Sequence, residues 1–243
     1  MAEIVTTDSG MAVTVVQPAT PAPKASGVIL YMDAFGPRPA LEVMAERIAS
    51  WGHVVLIPDL FHRFGAYGPF DTATAFSEEA SRAQLMAMMG GTAHDMTVED
   101  TGVLLGMLAD EGAIGPVGAV GYCFGGGRAL SAAAAYPGRI KAVASFHGGN
   151  LASDGADSPH TQVSAIKGLV YVGSAAEDRS FPPEQSAKLE QVLRAAGLDY
   201  VMENYAGCEH GWSVPDSAVF SATGAARHWR RLEALFGEGL AGV

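Results

Sequence analysis

The sequence predicts an α/β fold with a mainly parallel central sheet and helices on both faces. Apolar runs alternate along the chain with segments whose apolar residues recur at helical spacing. Hydrophobic residues make up 49% of the 243 residues and charged residues 17%, a balance that suits a sheet buried under helices. Nothing in the sequence marks a second unit, so residues 1–243 are predicted to form one domain.

Continuous apolar runs predict the strands. Residues 27–32 read as a central strand buried on both faces and residues 168–173 as another buried strand, while residues 53–58 and 141–146 read as further strands. Residues 12–17 alternate and are rich in Val, which predicts an edge strand, and residues 199–205 read as the last strand. The Pro-rich residues 18–23 predict a connector, because proline interrupts helices.

Helical periodicity predicts the segments between the strands. These segments are residues 40–51, 77–89, 97–110, 126–136, 184–196 and about 218–236. Met86, Met88 and Met89 in the second helix can shape an apolar cavity, although core packing is the commoner role of methionine.

Residues 115–128 organise the rest of the chain, since they read as a strand, a sharp turn and the start of a helix. Gly121 and Gly125 flank Cys123 in a Gly-x-nucleophile-x-Gly pattern, with Cys in place of the commoner Ser. Glycines are needed there because side chains would collide with backbone in so tight a turn. The helix dipole behind Cys123 favours the nucleophilic thiolate. A purely structural cysteine remains the alternative to this reading.

Two further residues complete a catalytic pattern after later strands. Asp178 and His210 follow Cys123 in the order nucleophile, acid and base. Such chemistry needs a base beside the thiol and a carboxylate that orients the imidazole. Glu177 competes with Asp178 for the acid role, whereas His210 is the one histidine after the final strand in a glycine-containing loop.

Several other residues are candidates for contact with a substrate. The aromatic and cationic loop 59–67, which ends at Tyr67, either lines a pocket or is anchored by its own aromatic residues. His147 stands at a strand end, where a structural role is the stronger interpretation. Phe35 and Trp212 lie in loops beside the predicted catalytic groups.

Charge and cysteine content limit the partners and the compartment. The net charge of −11 argues against a broad nucleic-acid or anionic-membrane surface, so we expect a small-molecule partner. No leader or membrane span is evident, which predicts a cytoplasmic protein, as a monomer or small homo-oligomer. Cys123 and Cys208 are the only cysteines, and we expect free thiols, although a bridge between them stays open. No cofactor and no metal are predicted.

Four motifs resemble the dienelactone hydrolase family of α/β-hydrolases along residues 12–236. They are Met32-Asp33-Ala34-Phe35-Gly36, Pro58-Asp59-Leu60-Phe61, Gly121-Tyr122-Cys123-Phe124-Gly125-Gly126 and Glu209-His210-Gly211. The resemblance implies an α/β-hydrolase fold, with Cys123 as nucleophile, Asp178 as acid and His210 as base. It implies an oxyanion hole formed by the backbone N–H groups of Phe124 and Ala34.

The resemblance also indicates where this sequence departs from the family. Asp33 occupies the position of a Glu that holds the resting thiol in dienelactone-cleaving members. Its carboxylate is expected to oppose thiolate formation, or else to cap its own loop through backbone N–H groups. Val214 stands where one substrate-binding Arg of those members would fall, and Arg82 corresponds to the other.

The sequence therefore predicts a hydrolase of lactones or small activated esters with a Cys-His-Asp triad. A thiolate leaves more readily than an alkoxide, so a cysteine enzyme suits substrates with a good leaving group. The alternative is a non-catalytic ligand-binding or redox-sensing protein that keeps the fold and a reactive cysteine. The complete triad argues against it, because a binding protein has no need of the acid.

Overall fold

A computed structural model describes residues 2–20 and 26–241. Its strands are β1 Ala2–Thr6, β2 Ala12–Val16, β3 Gly27–Tyr31, β4 Val54–Pro58, β5 Val117–Tyr122, β6 Ile140–Phe146, β7 Leu169–Glu177 and β8 Tyr200–Glu209. They form one sheet in the order β1-β2-β4-β3-β5-β6-β7-β8. The pairs β1–β2 and β2–β4 are antiparallel, and the sheet from β4 to β8 is parallel. The predicted mainly parallel sheet is confirmed.

Helices cover the two faces of this sheet, as predicted. They are α1 Pro39–Ala49, α2 Glu79–Gly91, α3 His94–Asp110, α4 Phe124–Ala135, α5 Pro183–Ala195 and α6 Ala222–Gly239. A Cβ placed on Gly118 would lie 2.8 Å from Phe236 of α6, whereas one on Gly27 would lie 2.6 Å from Leu108 of α3. Gly27 pairs with Val117, the neighbour of Gly118, so α3 and α6 lie on opposite faces. No described helix is long and apolar enough to cross a membrane.

The edge-strand prediction for residues 12–17 is wrong. The strand exists as β2, but β1 pairs with it on the outside and is itself the edge of the sheet. Four of the five residues of β1 are exposed, so the strand lacks the apolar signal that marks the central strands. In the predicted connector 18–23, residues 21–23 lie outside the described part of the chain.

The two strands that carry the acid and the base are longer than predicted. β7 continues to Glu177 and β8 to Glu209, and after a register shift these two residues pair with each other. Residues 206–208 therefore belong to a strand and not to a loop. This extension ends the strands directly before Asp178 and His210, which places both side chains at the carboxyl edge of the sheet.

The turn between β5 and α4 is as tight as its glycines predict. Cys123 sits in it with φ of 52°, a left-handed conformation that costs a non-glycine residue on the order of 1–3 kcal/mol. A Cβ on Gly121 would lie 1.9 Å from the carbonyl oxygen of Gly125. A Cβ on Gly125 would lie 2.3 Å from the carbonyl oxygen of Tyr31. Helix α4 therefore begins in direct contact with the ends of β3 and β5.

We predict that Gly121→Ala lowers the free energy of unfolding by about 3 kcal/mol or more, because backbone has to move to admit the methyl group. The matched control is Gly106→Ala in α3, where a Cβ would meet no atom within 4 Å. It should raise stability by roughly 0.5–1 kcal/mol. Urea unfolding measures both, and a Gly121→Ala protein as stable as the wild type would contradict the steric account.

Candidate active site

Cys123 is held at the tip of the turn by its own backbone. Its N–H donates to the carbonyl oxygen of Phe146 and to Nδ1 of His147, at 3.1 Å in each case. The residue is partly exposed, and it lines the same cavity as His210. The structure therefore brings the predicted nucleophile and base together.

The predicted acid lies on the other side of the same imidazole. Nδ1 of His210 is 2.7 Å from Oδ2 of Asp178, whose side chain is 2% exposed. Oδ1 of Asp178 accepts hydrogen bonds from the N–H of Ser180 at 2.8 Å and from its Oγ at 2.6 Å. Because these donors fix the carboxylate, its second oxygen faces the imidazole in one orientation. Asp178 and His210 thus form a hydrogen-bonded pair, and Cys123 lines the same cavity as this pair.

Charges around His210 favour its protonated form. Burial lowers its pKa, but the charge of Cys123 and the hydrogen bond with Asp178 outweigh burial and raise the pKa to about 10. Burial pushes the pKa of Asp178 up, and the contacts with His210 and Ser180 more than offset it, so that this pKa is lowered. The carboxylate is therefore ionised, and the imidazole retains its proton at neutral pH.

Glu177 does not compete for the acid role. It is exposed and ends β7 in the ladder opposite Glu209. The hydrogen bond at Nδ1 of His210 is with Asp178, and Glu177 makes none to this imidazole.

A cavity of about 1350 Å³ opens beside the thiol. Its lining includes Cys123, Asp178 and His210, together with Phe76, Arg82, Met86, Met89, His94 and Arg128. Arg82 therefore lines the same cavity as Cys123 and His210. Met86 and Met89 line the cavity as the sequence allowed, whereas Met88 is buried in the core.

Four other predicted contact residues do not line this cavity. They are Phe35, Tyr67, Trp212 and His147. Phe35 and Tyr67 line a separate cavity of about 390 Å³, where the Tyr67 hydroxyl donates to Asp59 at 2.5 Å. The loop is thus anchored by its own aromatic residue, which was the alternative interpretation. Trp212 is fully buried and stacks on Tyr205 at 4.5 Å. A loop position predicted these residues near the site, but position alone does not set the direction of a side chain.

His147 braces the turn beneath Cys123 and is 1% exposed. Its Nδ1 accepts from the Cys123 N–H, so its Nε2 carries the proton and donates to Oγ of Ser213 at 2.9 Å. Burial lowers the pKa of His147 well below its usual value, and the neighbouring His210 lowers it further. The prediction of substrate contact is wrong, and the structural interpretation is the correct one.

The expected contact between Asp33 and the thiol is also absent. Both carboxylate oxygens of Asp33 face Arg38, at 2.7 and 2.8 Å, and Oδ1 also accepts from the N–H of Phe35 at 3.0 Å. The alternative, a carboxylate that caps its own loop, agrees with this geometry. The sequence did not reveal Arg38 as the partner, because an Arg beside a Gly-Pro turn reads as an ordinary surface residue.

Two cavity residues were missed by sequence reasoning. Arg128 is 6% exposed, donates from Nη2 to the carbonyl oxygen of Thr92 at 2.6 Å, and stacks on Phe124 at 4.4 Å. Burial lowers its pKa to about 10. His94 faces the same space and contacts Oγ of Ser131 at 2.7 Å. A signal for Arg128 existed, since it is the one charged residue in a helix of glycines and small apolar residues.

Cys208 is buried, and both cysteines are free, so the bridge left open by the sequence is not formed. Within residues 2–20 and 26–241, no group of three or more His, Cys, Asp or Glu side chains is arranged to hold a metal ion.

The fold and the site together define a hydrolase of the α/β-hydrolase type. Comparison with known proteins narrows the class. The model of the dienelactone hydrolase family matches residues 11–240. The chain belongs to the dienelactone hydrolase family, and its class is therefore a carboxylic ester or lactone hydrolase that acts on small molecules.

Individual relatives agree with this assignment. The chain is 27% identical over 215 residues to a carboxymethylenebutenolidase of Rhodococcus opacus, covering 86% of this chain and 79% of the relative. It is 27% identical over 190 residues to hydrolase tropI of Talaromyces stipitatus, covering 77% of this chain and 70% of the relative. A dienelactone hydrolase-like promiscuous phosphotriesterase from metagenomic libraries superposes with a TM-score of 0.79 at 23% identity, with 99% of each chain covered.

We predict that Ser180→Ala reduces kcat roughly five-fold, since it removes one hydrogen bond worth about 1 kcal/mol from the carboxylate that orients His210. Ser186→Ala in α5 is the matched control. Steady-state hydrolysis of a neutral ester measures both variants. An unchanged kcat in Ser180→Ala would show that the Asp178 carboxylate is oriented without this hydroxyl.

Proposed function

We propose that this protein hydrolyses lactones or small activated esters with Cys123 as nucleophile, His210 as base and Asp178 as acid. The observation that carries the proposal is the pair between the His210 imidazole and a carboxylate that is 2% exposed, in a cavity that Cys123 also lines. A protein that only bound ligands would gain nothing from burying a carboxylate behind the imidazole.

The first half of the reaction transfers the acyl group to sulfur. The Cys123 thiolate attacks the substrate carbonyl, and the negative charge moves to the carbonyl oxygen. We assign the oxyanion hole to the N–H groups of Phe124 and Ala34, which donate to no backbone carbonyl among the described residues. When the tetrahedral intermediate collapses, the His210 imidazolium gives its proton to the departing oxygen, and a thioester remains on Cys123.

The second half of the reaction releases the acid. His210, now neutral, takes a proton from water, and the resulting hydroxide adds to the thioester carbonyl. Collapse expels the Cys123 thiolate and leaves the carboxylic acid. Because a thiolate leaves more easily than an alkoxide, the first intermediate also returns readily to substrate. The chemistry therefore favours lactones and esters with good leaving groups.

The lining of the large cavity supports small, partly apolar substrates. Met86, Met89 and Phe76 offer apolar surface, and we assign Arg82 to a polar group of the substrate. Val214, at the position of a second arginine in the resemblance, is 1% exposed and offers no charge. The net charge of −11 disfavours nucleic acid and anionic membranes as partners, and we propose a monomer or small homo-oligomer.

The central test of this proposal is substitution within the triad. Cys123→Ala should abolish hydrolysis of nitrophenyl esters and neutral lactones while leaving the melting temperature within about 2 °C of wild type. Asp178→Asn should lower kcat by at least about 100-fold but leave residual activity, because the base remains.

Glu177→Gln is the matched control for the acid, because it neutralises the adjacent carboxylate. It should retain near wild-type turnover. Full activity in Cys123→Ala would remove the proposed nucleophile, and a severe loss in Glu177→Gln with none in Asp178→Asn would reverse the acid assignment. A folded wild type without turnover on any ester or lactone would favour the ligand-binding or redox-sensing alternative.

The raised pKa of His210 predicts the alkaline limb of the pH profile. The imidazolium that protonates the leaving oxygen exists below a pKa of about 10 and is lost above it. For a neutral lactone, kcat/KM should stay level to about pH 9 and then fall. Asp178→Asn removes one cause of the raised pKa, so its alkaline limb should move to lower pH. A fall near pH 7 in the wild type would contradict the charge assignment.

A further inference from the structure

Arg38 links two loops that carry parts of the proposed catalytic machinery. It precedes α1, and its side chain is 13% exposed. On one side it pairs with Asp33, next to the proposed oxyanion residue Ala34. On the other side it pairs with Asp216, in the loop between His210 and α6.

Every N–H donor of the Arg38 guanidinium has an acceptor. Nη1 donates to Oδ1 of Asp33 at 2.7 Å and to the carbonyl oxygen of Gly36 at 3.2 Å. Nη2 donates to Oδ2 of Asp33 at 2.8 Å and to Oδ1 of Asp216 at 2.9 Å, and Nε donates to Oδ2 of Asp216 at 2.7 Å. The guanidinium therefore holds both carboxylates in bidentate pairs, a geometry that Lys cannot reproduce.

Asp33 lies where its carboxylate could otherwise reach the thiol. Strands β3 and β5 pair in parallel with Tyr31 opposite Gly121, and two further positions along each chain lead to Asp33 and Cys123. Neighbouring strands are about 4.8 Å apart, so a freed carboxylate at this end of β3 would be within side-chain reach of the elbow. Asp33 is 4% exposed, and without Arg38 its remaining hydrogen bond in this set is the one from Phe35. A buried carboxylate in that situation turns to the nearest donor.

Asp216 extends the connection to a third segment. Its backbone carbonyl oxygen accepts from Oγ1 of Thr72 at 2.6 Å, while its side chain is held by Arg38. The same loop begins at the proposed base, His210, and includes Ser213, which holds His147 under the elbow. The guanidinium of Arg38 therefore bridges the Ala34 loop and the His210 loop.

We propose that Arg38 is a positioning residue with two separable effects. Through Asp33 it keeps a carboxylate away from the Cys123 thiol, so that the nucleophile is available without substrate binding. Through Asp216 it fixes the loop of the base relative to the loop of the oxyanion hole. This inference rests on the proposed roles of Cys123, His210 and Ala34.

Alkylation of Cys123 by iodoacetamide, followed against pH by peptide mass spectrometry, tests the first effect. Peptide mapping separates Cys123 from the buried Cys208. In Arg38→Met the rate near pH 7 should fall about ten-fold, and the midpoint of the profile should move up by roughly one pH unit. Asp33→Asn in the Arg38→Met background should return the profile to that of the wild type, because the carboxylate that opposes the thiolate is gone.

Other charged groups near the thiol are the same in all of these variants. Those facing it or lining its cavity are Arg82, His94, Arg128, His147, Glu177, Asp178, Arg179, Glu209 and His210. A difference between Arg38→Met and the double variant therefore reports on the Asp33 carboxylate.

Asp216→Asn tests the second effect, since it leaves the pair between Arg38 and Asp33 in place. We expect a kcat that falls several-fold with little change in KM, as expected when the base is misplaced, and a shift of the alkylation midpoint smaller than that in Arg38→Met. Arg47→Met is the control for loss of an arginine near the same helix, because Arg47 stacks on Trp229 at 4.6 Å and contacts neither loop. It should leave both readouts unchanged.

An Arg38→Met protein with a wild-type alkylation profile would overturn the first effect, as would a double variant that fails to restore the profile. An Asp216→Asn protein with wild-type kcat would overturn the second. If Arg38→Met does not fold, Arg38→Lys decides, because one ammonium can hold Asp33 but cannot span both carboxylates. It should have a reduced kcat and an alkylation midpoint shifted by less than that expected of Arg38→Met. A wild-type kcat, or a midpoint raised by about a full pH unit, contradicts the proposal. Alkylation needs no turnover, so failure of the proposed hydrolase activity would remain distinguishable.

Discussion

The first turn of α4 packs directly against the ends of β3 and β5, and the geometry of the candidate site follows from this contact. Only glycine fits at positions 121 and 125, where a Cβ would lie within 2.3 Å of a backbone oxygen. The same crowding forces Cys123 into a left-handed conformation. The Cys123 N–H donates two hydrogen bonds, to the carbonyl oxygen of Phe146 and to Nδ1 of His147, and these bonds hold the residue in that conformation. The thiol consequently points away from the sheet, toward the loops that follow β7 and β8.

Each reactive group is held by a partner that takes no direct part in the chemistry. His147 accepts from the elbow backbone, Ser180 donates to Asp178, and Arg38 occupies both oxygens of Asp33. These partners matter because a polar group buried without one would turn toward another donor or acceptor. Hydrogen bonds from these supporting residues therefore orient the groups of the site. The bond from Ser180 holds the Asp178 carboxylate toward the imidazole, and the bonds from Arg38 hold the Asp33 carboxylate in its own loop.

The sequence was sufficient to predict the parallel sheet and the turn, and to select three residues that the structure brings to one cavity, because these features depend on local rules. Glycines at fixed offsets mark the turn, and polar residues after parallel strands converge at one edge. It did not predict the directions of Tyr67, His147 and Trp212, since a strand-end position does not say whether a side chain faces solvent or core. The partner of Asp33 could not be predicted either, because Arg38 donates to two carboxylates only once Asp216 folds back from the far end of the chain.

The proposed mechanism requires an acyl group on Cys123 during turnover. Intact-protein and peptide mass spectrometry, after acid quenching of the enzyme with an ester of slow turnover, detects such an adduct directly. We predict a mass increase equal to the acyl group, located on the peptide that contains Cys123 and lost on further incubation before quenching. Turnover with no adduct on Cys123 at any quench time, or an adduct on another residue, would contradict it.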